Sequence, residues 1–357
     1  MFSLKINDRF RNRKIDFFNE FTLELRHDSI SSGFGFSFYF DPNNYEHKEL
    51  ACVTHFHEVQ VLYNDELLVT GVITSQKFRH TPTKSLCVIT GYTKTGVLED
   101  CQIPPQLYPL QSNRLSLREI TEKLLKPFKL DLVIDSSVSS AANKIIDIST
   151  ANETQTIKDY LVELAKQRDI LVSHNEKGQL LFTSLKTDIT PLIEFDNTKG
   201  IQVGTSFELN YDGQGMHSHI TTQKQASVDG GNAGEQTIRN PYVLSSYYRP
   251  KVTTQSSGDD NDTQSAAERE LASELKGLTL TIDTDRWVID GKIIRPNNII
   301  TIFDPELYIY KKTTWFIESI RYTGNETENI ATINCVVPEV YNKKKPTSIF
   351  AGINLHA

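Results

Sequence analysis

Two short histidine pairs are the residues whose types and spacing best suit chemistry. His55 and His57 sit in Thr54-His-Phe-His-Glu58-Val, and His217 and His219 repeat the same one-residue gap. On a strand, residues two apart share a face, so each pair would offer two imidazoles to a metal ion. Four such ligands would complete a tetrahedral set if the chain brought the pairs together. Neither spacing matches an established zinc motif, and no cysteine is read as a further ligand, so they are expected to be surface histidines and no metal is assigned.

Asp259-Asp260-Asn261-Asp262 has the carboxylate density of a calcium loop. Counting from Asp260, however, Ser265 stands where the sharp turn needs glycine. Capping of the helix that follows is the expected role of these residues. Nucleophilic, nucleotide-binding and zinc-hydrolase motifs are missing: there is no G-x-S-x-G, no Walker loop, no dinucleotide fingerprint and no H-E-x-x-H. Gly33-Phe-Gly35 lies in an aromatic strand-like run, where a bend or bulge is expected rather than a phosphate. No catalytic, cofactor-binding or metal residue is therefore assigned, and no cofactor. The four cysteines (Cys52, Cys87, Cys101, Cys335) are scattered without a C-x-x-C pair and read as buried free thiols.

The elements that would position these residues belong mainly to β-structure. Phe21–Leu25 alternates, Phe34–Phe40 is an aromatic run, and Val59–Tyr63 and Leu67–Ile73 flank the polar turn Asn64-Asp65-Glu66 as a hairpin. After Pro104-Pro105 the pattern changes. Leu117, Ile120, Leu124 and Leu125 recur at helical spacing behind the capping pair Ser116 and Glu119, and Pro127 marks the stop. A second helix opens at Thr154–Thr156 and carries Ile157, Leu161, Leu164 and Ala165 on one face. Strand patterns return from Ile193, with Ile201-Gln-Val, Ser206–Tyr211 and His219–Thr222, and then from Leu278 to the end. Between them lies a polar stretch, 223–263, and a helix, 265–276, with Ser265 and Glu268 as its capping pair.

The expected fold is α+β and mainly β: two similar barrel-like β domains, 1–103 and 191–357, separated by a small α/β domain, 104–190. Loops as long as 223–263 are functional or order on assembly. Trp287, Trp315 and the run Phe34–Phe40 are expected to pack in cores rather than to anchor interfaces.

The 357 residues carry 38 Lys and Arg against 45 Asp and Glu, a net charge of -7, which argues against nucleic-acid binding by charge. Lys343-Lys344-Lys345 is too short a basic cluster to alter that. No run of about 18 apolar residues suggests a membrane span, and the basic N-terminus has no apolar core behind it, so cytosolic synthesis is expected.

Several stretches resemble the Mu-like myophage baseplate hub family, also known as late control D or phage tail protein. They are His57–Ile73, ending in Leu-Val-Thr-Gly-Val-Ile; Thr90-Gly-Tyr-Thr-Lys-Thr-Gly-Val-Leu-Glu-Asp-Cys101; Leu161–Val172; Ala267–Ala272; and Trp287 followed by Arg295-Pro296-Asn297 and Asp304-Pro305. The family commonly has tryptophan where this chain has Arg295. The likeness runs from about residue 17 to 341, and the order of the motifs is more specific than any one of them.

The resemblance implies a structural, non-enzymatic hub of a contractile phage tail. It implies a homotrimer in which two barrel-like domains per subunit alternate round a ring. That ring would match a hexameric tail tube on one side and a trimeric central spike on the other, among other baseplate proteins, and let DNA pass. The related N-terminal parts of type VI secretion spikes raise a phage-derived injection or secretion machine as the alternative. A tail-associated cell-wall hydrolase is the enzymatic rival. The implied location is the virion tail, assembled in the host cytoplasm.

Overall fold

The computed structural model describes residues 2–8, 11–185, 189–224, 235–244, 246–255, 263–289, 291–325, 327–342 and 346–351. The chain divides into two compact units. The first comprises Met1–Ser184, Arg286–Pro296 and Ser319–Ala331; the second comprises Leu185–Asp285, Asn297–Glu318 and Thr332–Ala357.

The first unit is built on an antiparallel sheet. Its strand order is Arg11–Ile15, Phe2–Asp8, Glu58–Tyr63, Glu66–His80, Ser85–Thr93, Gly33–Tyr39 and Glu20–Arg26, followed by the end of Ile309–Gly324. Alternation decides which side chains go inside: Phe34, Phe36 and Phe38 are buried, while Gly33, Gly35 and Tyr39 face outward. The hairpin at Asn64-Asp65 has positive φ at both residues (47° and 67°), the mirror-image turn that suits a right-twisted ribbon.

Gly33-Phe-Gly35 does not form the expected bulge; it lies in unbroken register with Thr90, Gly91 and Tyr92. The glycines that matter are Gly71 and Gly91. A Cβ at either would stand 2.3 or 2.1 Å from a carbonyl oxygen of the facing strand and within 2.7 Å of the Phe34 ring. Both residues close the Thr-Gly dipeptides of the motifs above, so these glycines are packing requirements for Phe34.

A smaller α/β part follows in the same unit. Helix Leu117–Leu125 starts on the expected capping box: Ser116 Oγ accepts from Glu119 N (3.2 Å) and Ser116 N donates to Glu119 Oε2 (2.7 Å). Helix Ile157–Lys166 is capped by Thr156, whose Oγ1 accepts from Asp159 N. The apolar stripes of both helices share one core with Val172, Leu180 and Phe182 of a three-stranded sheet ordered Leu171–His174, Leu180–Thr183, Leu132–Ile134. A two-stranded ribbon, Gln111–Ser116 with Ile145–Thr150, completes it.

In the second unit, a sheet runs Thr205–Tyr211, Leu278–Thr284, Asn329–Val336, Ile309–Gly324, Ile299–Asp304 and Ile193–Asp196. The expected barrel is not closed. Among the described residues no backbone pairing joins the two end strands, although Phe195 and Phe207 meet edge to face at 5.1 Å. Ile201-Gln-Val is not a strand. It is irregular backbone with Ile201 and Val203 exposed, because an apolar alternation of three residues has no facing strand to pair with.

The polar stretch 223–263 is more structured than its composition suggested. Glu235–Arg239 and Pro250–Gln255 flank His219–Lys224 in a three-stranded sheet. Helix Thr263–Glu274 covers one face of it through Ala267 and Leu271 against Ile220. This helix begins two residues before Ser265, which therefore lies inside it rather than at the cap. Asp259–Asp262, read as the helix cap, and Lys343–Lys345 lie outside the described residues.

Candidate functional site

His55 and His57 precede their strand, which begins at Glu58, and so do not alternate across a sheet. Positive φ at Thr54 (71°) and Phe56 (47°) turns the loop so that the two rings nevertheless stack, 5.4 Å between centroids and 18° between planes. Cys52 belongs with them: its Sγ lies 2.9 Å from His55 Nδ1. The expectation that all four cysteines are buried holds for Cys87 and Cys335, whose thiols burial pushes up in pKa. It fails for Cys52 and Cys101, which are half-buried. The signal for Cys52 was present in the sequence as Cys-x-x-His.

His217 and His219 are each engaged locally. Glu274, almost fully buried, accepts from His217 N (2.8 Å) and sits 2.7 Å from its Nδ1. Lys251 bridges Glu270 (2.5 Å) and Glu274 (3.4 Å), tying Pro250–Gln255 to helix Thr263–Glu274. His219 Nδ1 pairs with Ser218 Oγ at 2.9 Å. The sequence thus concealed a structural ion cluster behind one candidate ligand pair. Among the described residues, no three His, Cys, Asp or Glu side chains are grouped to hold a metal ion.

A pair of histidines that sequence reasoning did not single out, His27 buried and His174 half-buried, meets in the first unit. His174 Nδ1 donates to the Ser29 carbonyl (2.9 Å), and burial lowers the His174 pKa. His27 is lowered too, to about 4, by its own burial and then by His174. These contacts connect the end of strand Glu20–Arg26 to the α/β part.

Most of the aromatic residues take core positions as expected, while Tyr39 is exposed and Phe40 half-buried. Trp315 is fully buried, its Nε1 donating to Thr313 Oγ1 (2.9 Å). Trp287 is half-buried among Phe2, Phe21, Tyr63 and Tyr322. Arg295, which departs from the family pattern, reaches the Glu66 carboxylate and donates to the Leu67 carbonyl (2.9 Å). A groove of about 380 Å³ crosses the outward face of the first sheet over Gly33, Gly35 and Thr90. Of the two carboxylates on its rim, Glu24 is paired with Arg321 at 2.9 Å.

Comparison with known proteins adds the family context. Residues 95–184 match the family described as baseplate hub protein gp44-like, second domain. The baseplate hub protein gp44 of Escherichia phage Mu is 23% identical over 290 residues, covering 76% of this chain and 73% of that protein. The 43 kDa tail protein of prophage MuSo2 from Shewanella oneidensis superposes with a TM-score of 0.78 at 17% identity, over 96% of this chain and 99% of that one. A component of the E. coli type VI secretion system, c3393, superposes with a TM-score of 0.54 at 10% identity, over 95% of this chain and 78% of that one. Residues 95–184 are thus similar to the second domain of gp44-like baseplate hub proteins, and over most of its length the chain is similar to the Mu baseplate hub protein.

Proposed function

We propose that this protein is the structural hub of a contractile phage tail baseplate: a homotrimer that adapts a hexameric tail tube to a trimeric central spike and leaves a passage for DNA. The observation that carries this reading is the extent of the likeness, since the MuSo2 tail protein and this chain match over nearly the whole of both. A division into β domains at 1–103 and 191–357 around an α/β domain at 104–190 suits it, because two β domains per copy let three copies present six. The reading includes no catalysis; the groove over Gly33 and Gly35 offers binding relief, with one of its carboxylates already spent on an ion pair. The net charge of -7 suits a channel that DNA must leave freely.

Mass measurement in solution tests the assembly, with three times 40.6 kDa expected. Co-purification with the tube protein of the same tail tests the partner, and a cell-wall zymogram should show no clearing. The likeness to the type VI secretion component favours a second reading, the hub of a phage-derived injection machine. Recovery with a secretion apparatus instead of virions would select it.

A further inference from the structure

Sheets avoid long unpaired edges, because a row of free N–H and C=O groups invites another strand. Strand Glu66–His80 breaks that rule. Its first part pairs with Glu58–Tyr63, and the pairing ends where Ile73 N donates to the His57 carbonyl (2.9 Å). From Thr74 to His80 it has, among the described residues, a neighbour on one side only, Ser85–Thr93. Lys77, Phe78, Arg79 and His80 are all exposed there. The charge is segregated as well: from Leu67 to Leu98 the sequence has no Asp or Glu, but it has Lys77, Arg79, Lys84 and Lys94.

A second open edge has the opposite character. Strand Thr205–Tyr211 has Leu278–Thr284 as its one neighbour among the described residues. It is seven residues long, the length of the Thr74–His80 edge. From Gly200 to Gln223 there is no Lys or Arg, while Glu208 and Asp212 are present and Glu208 is exposed. Beside it stand exposed apolar side chains, Ile201 at 51% and Val203 at 94%. An acid-free basic edge bearing a half-exposed Phe78 is complementary to a base-free acidic edge bearing exposed aliphatics.

We propose that the open edge Thr74–His80 docks, by strand addition, on the segment Gly200–Tyr211 of a second copy of this chain. The contact is heterologous, so each copy gives one arm and receives one, which is the arrangement that closes into rings. It rests on the reading of the protein as a self-assembling hub and names the surface that reading lacks.

Charge reversal and its rescue test it. The Lys77→Glu/Arg79→Glu double variant and the Glu208→Lys variant are each expected to fall from the trimeric mass to 40.6 kDa in light scattering at about physiological salt. Their far-UV circular dichroism should stay that of the wild type and their unfolding cooperative, since all three positions are exposed, with the melting temperature falling only by what the lost association contributed. Combining the three changes in one chain restores complementary contacts and is expected to recover the trimer. A wild-type chain that is monomeric overturns the assembled reading itself. A wild-type trimer that survives the double variant, or a triple variant that stays monomeric, overturns this surface alone. Loss of duplex DNA retention in the double variant with unchanged mass likewise overturns it, in favour of a polyanion on the basic edge.

Discussion

Acid should loosen the first unit through His27. In the folded chain its pKa is held near 4, chiefly because burial penalises the imidazolium and secondarily because His174 lies beside it. Unfolded, it returns to its ordinary value of 6.5. A depressed folded pKa means the folded state binds fewer protons, so this stabilisation is present above pH 6.5 and is lost as the pH falls toward 4. Protonating the unfolded state removes about 2 kcal/mol by pH 5, and about 3 kcal/mol in full below pH 4. His174 is shifted in the same direction and adds to the loss.

Urea unfolding of the wild type and of His27→Gln at pH 7.5 and pH 5.0 measures this directly. Both proteins share His174 and the carboxylates that also titrate, so the difference between their pH losses isolates His27. The wild type should lose about 2 kcal/mol more than the variant over that interval. Equal losses would refute the claim that His27 is buried uncharged.

Three further outcomes follow from packing and caps. Gly91→Ala places a Cβ against the Val72 carbonyl and the Phe34 ring, and should cost about 3 kcal/mol in urea midpoint-derived stability. Ser116→Ala removes the side-chain half of the capping box at helix Leu117–Leu125, leaving the backbone N of residue 116 to donate to Glu119, and should cost about 1 kcal/mol, with Glu119→Gln retaining most of the box. Glu274→Ala strips a buried carboxylate from His217 and Lys251 and should cost about 3 kcal/mol, the low end for such pairs because Lys251 keeps Glu270. Hydrogen exchange should then rise selectively in strands His219–Lys224 and Pro250–Gln255.

How far the sequence could be read depended on whether a signal was local. The capping box at Ser116 and Glu119, the turn at Asn64-Asp65 and the buried run Phe34-Phe36-Phe38 need only neighbouring residues to be recognised, and all three appear as read. Strands Glu235–Arg239 and Pro250–Gln255 escaped notice because polar side chains fill their open face, and the single apolar residue facing the helix, Ile238, gives no periodicity. The histidines follow the same rule. His217, expected at the surface, is half-buried against Glu274, a partner 57 residues away in sequence. His27 and His174, 147 residues apart, offered no motif at all, since their environment exists only once the α/β part has packed against the end of strand Glu20–Arg26.

The same distinction explains why the family motifs were visible while the assembly surface was not. Thr70-Gly71 and Thr90-Gly91 look like sequence signatures because a single ring, Phe34, requires both glycines at once, and no other residue satisfies that requirement. A docking edge is under no such constraint. Strand addition draws its affinity from backbone groups that every residue supplies, and leaves side chains to set charge and exclude wrong partners. Its trace in the sequence is therefore statistical rather than positional: 32 residues without an acid from Leu67 to Leu98, and 24 without Lys or Arg from Gly200 to Gln223. Such runs acquire meaning only when the fold shows that each contains an unpaired strand, as Thr74–His80 and Thr205–Tyr211 do.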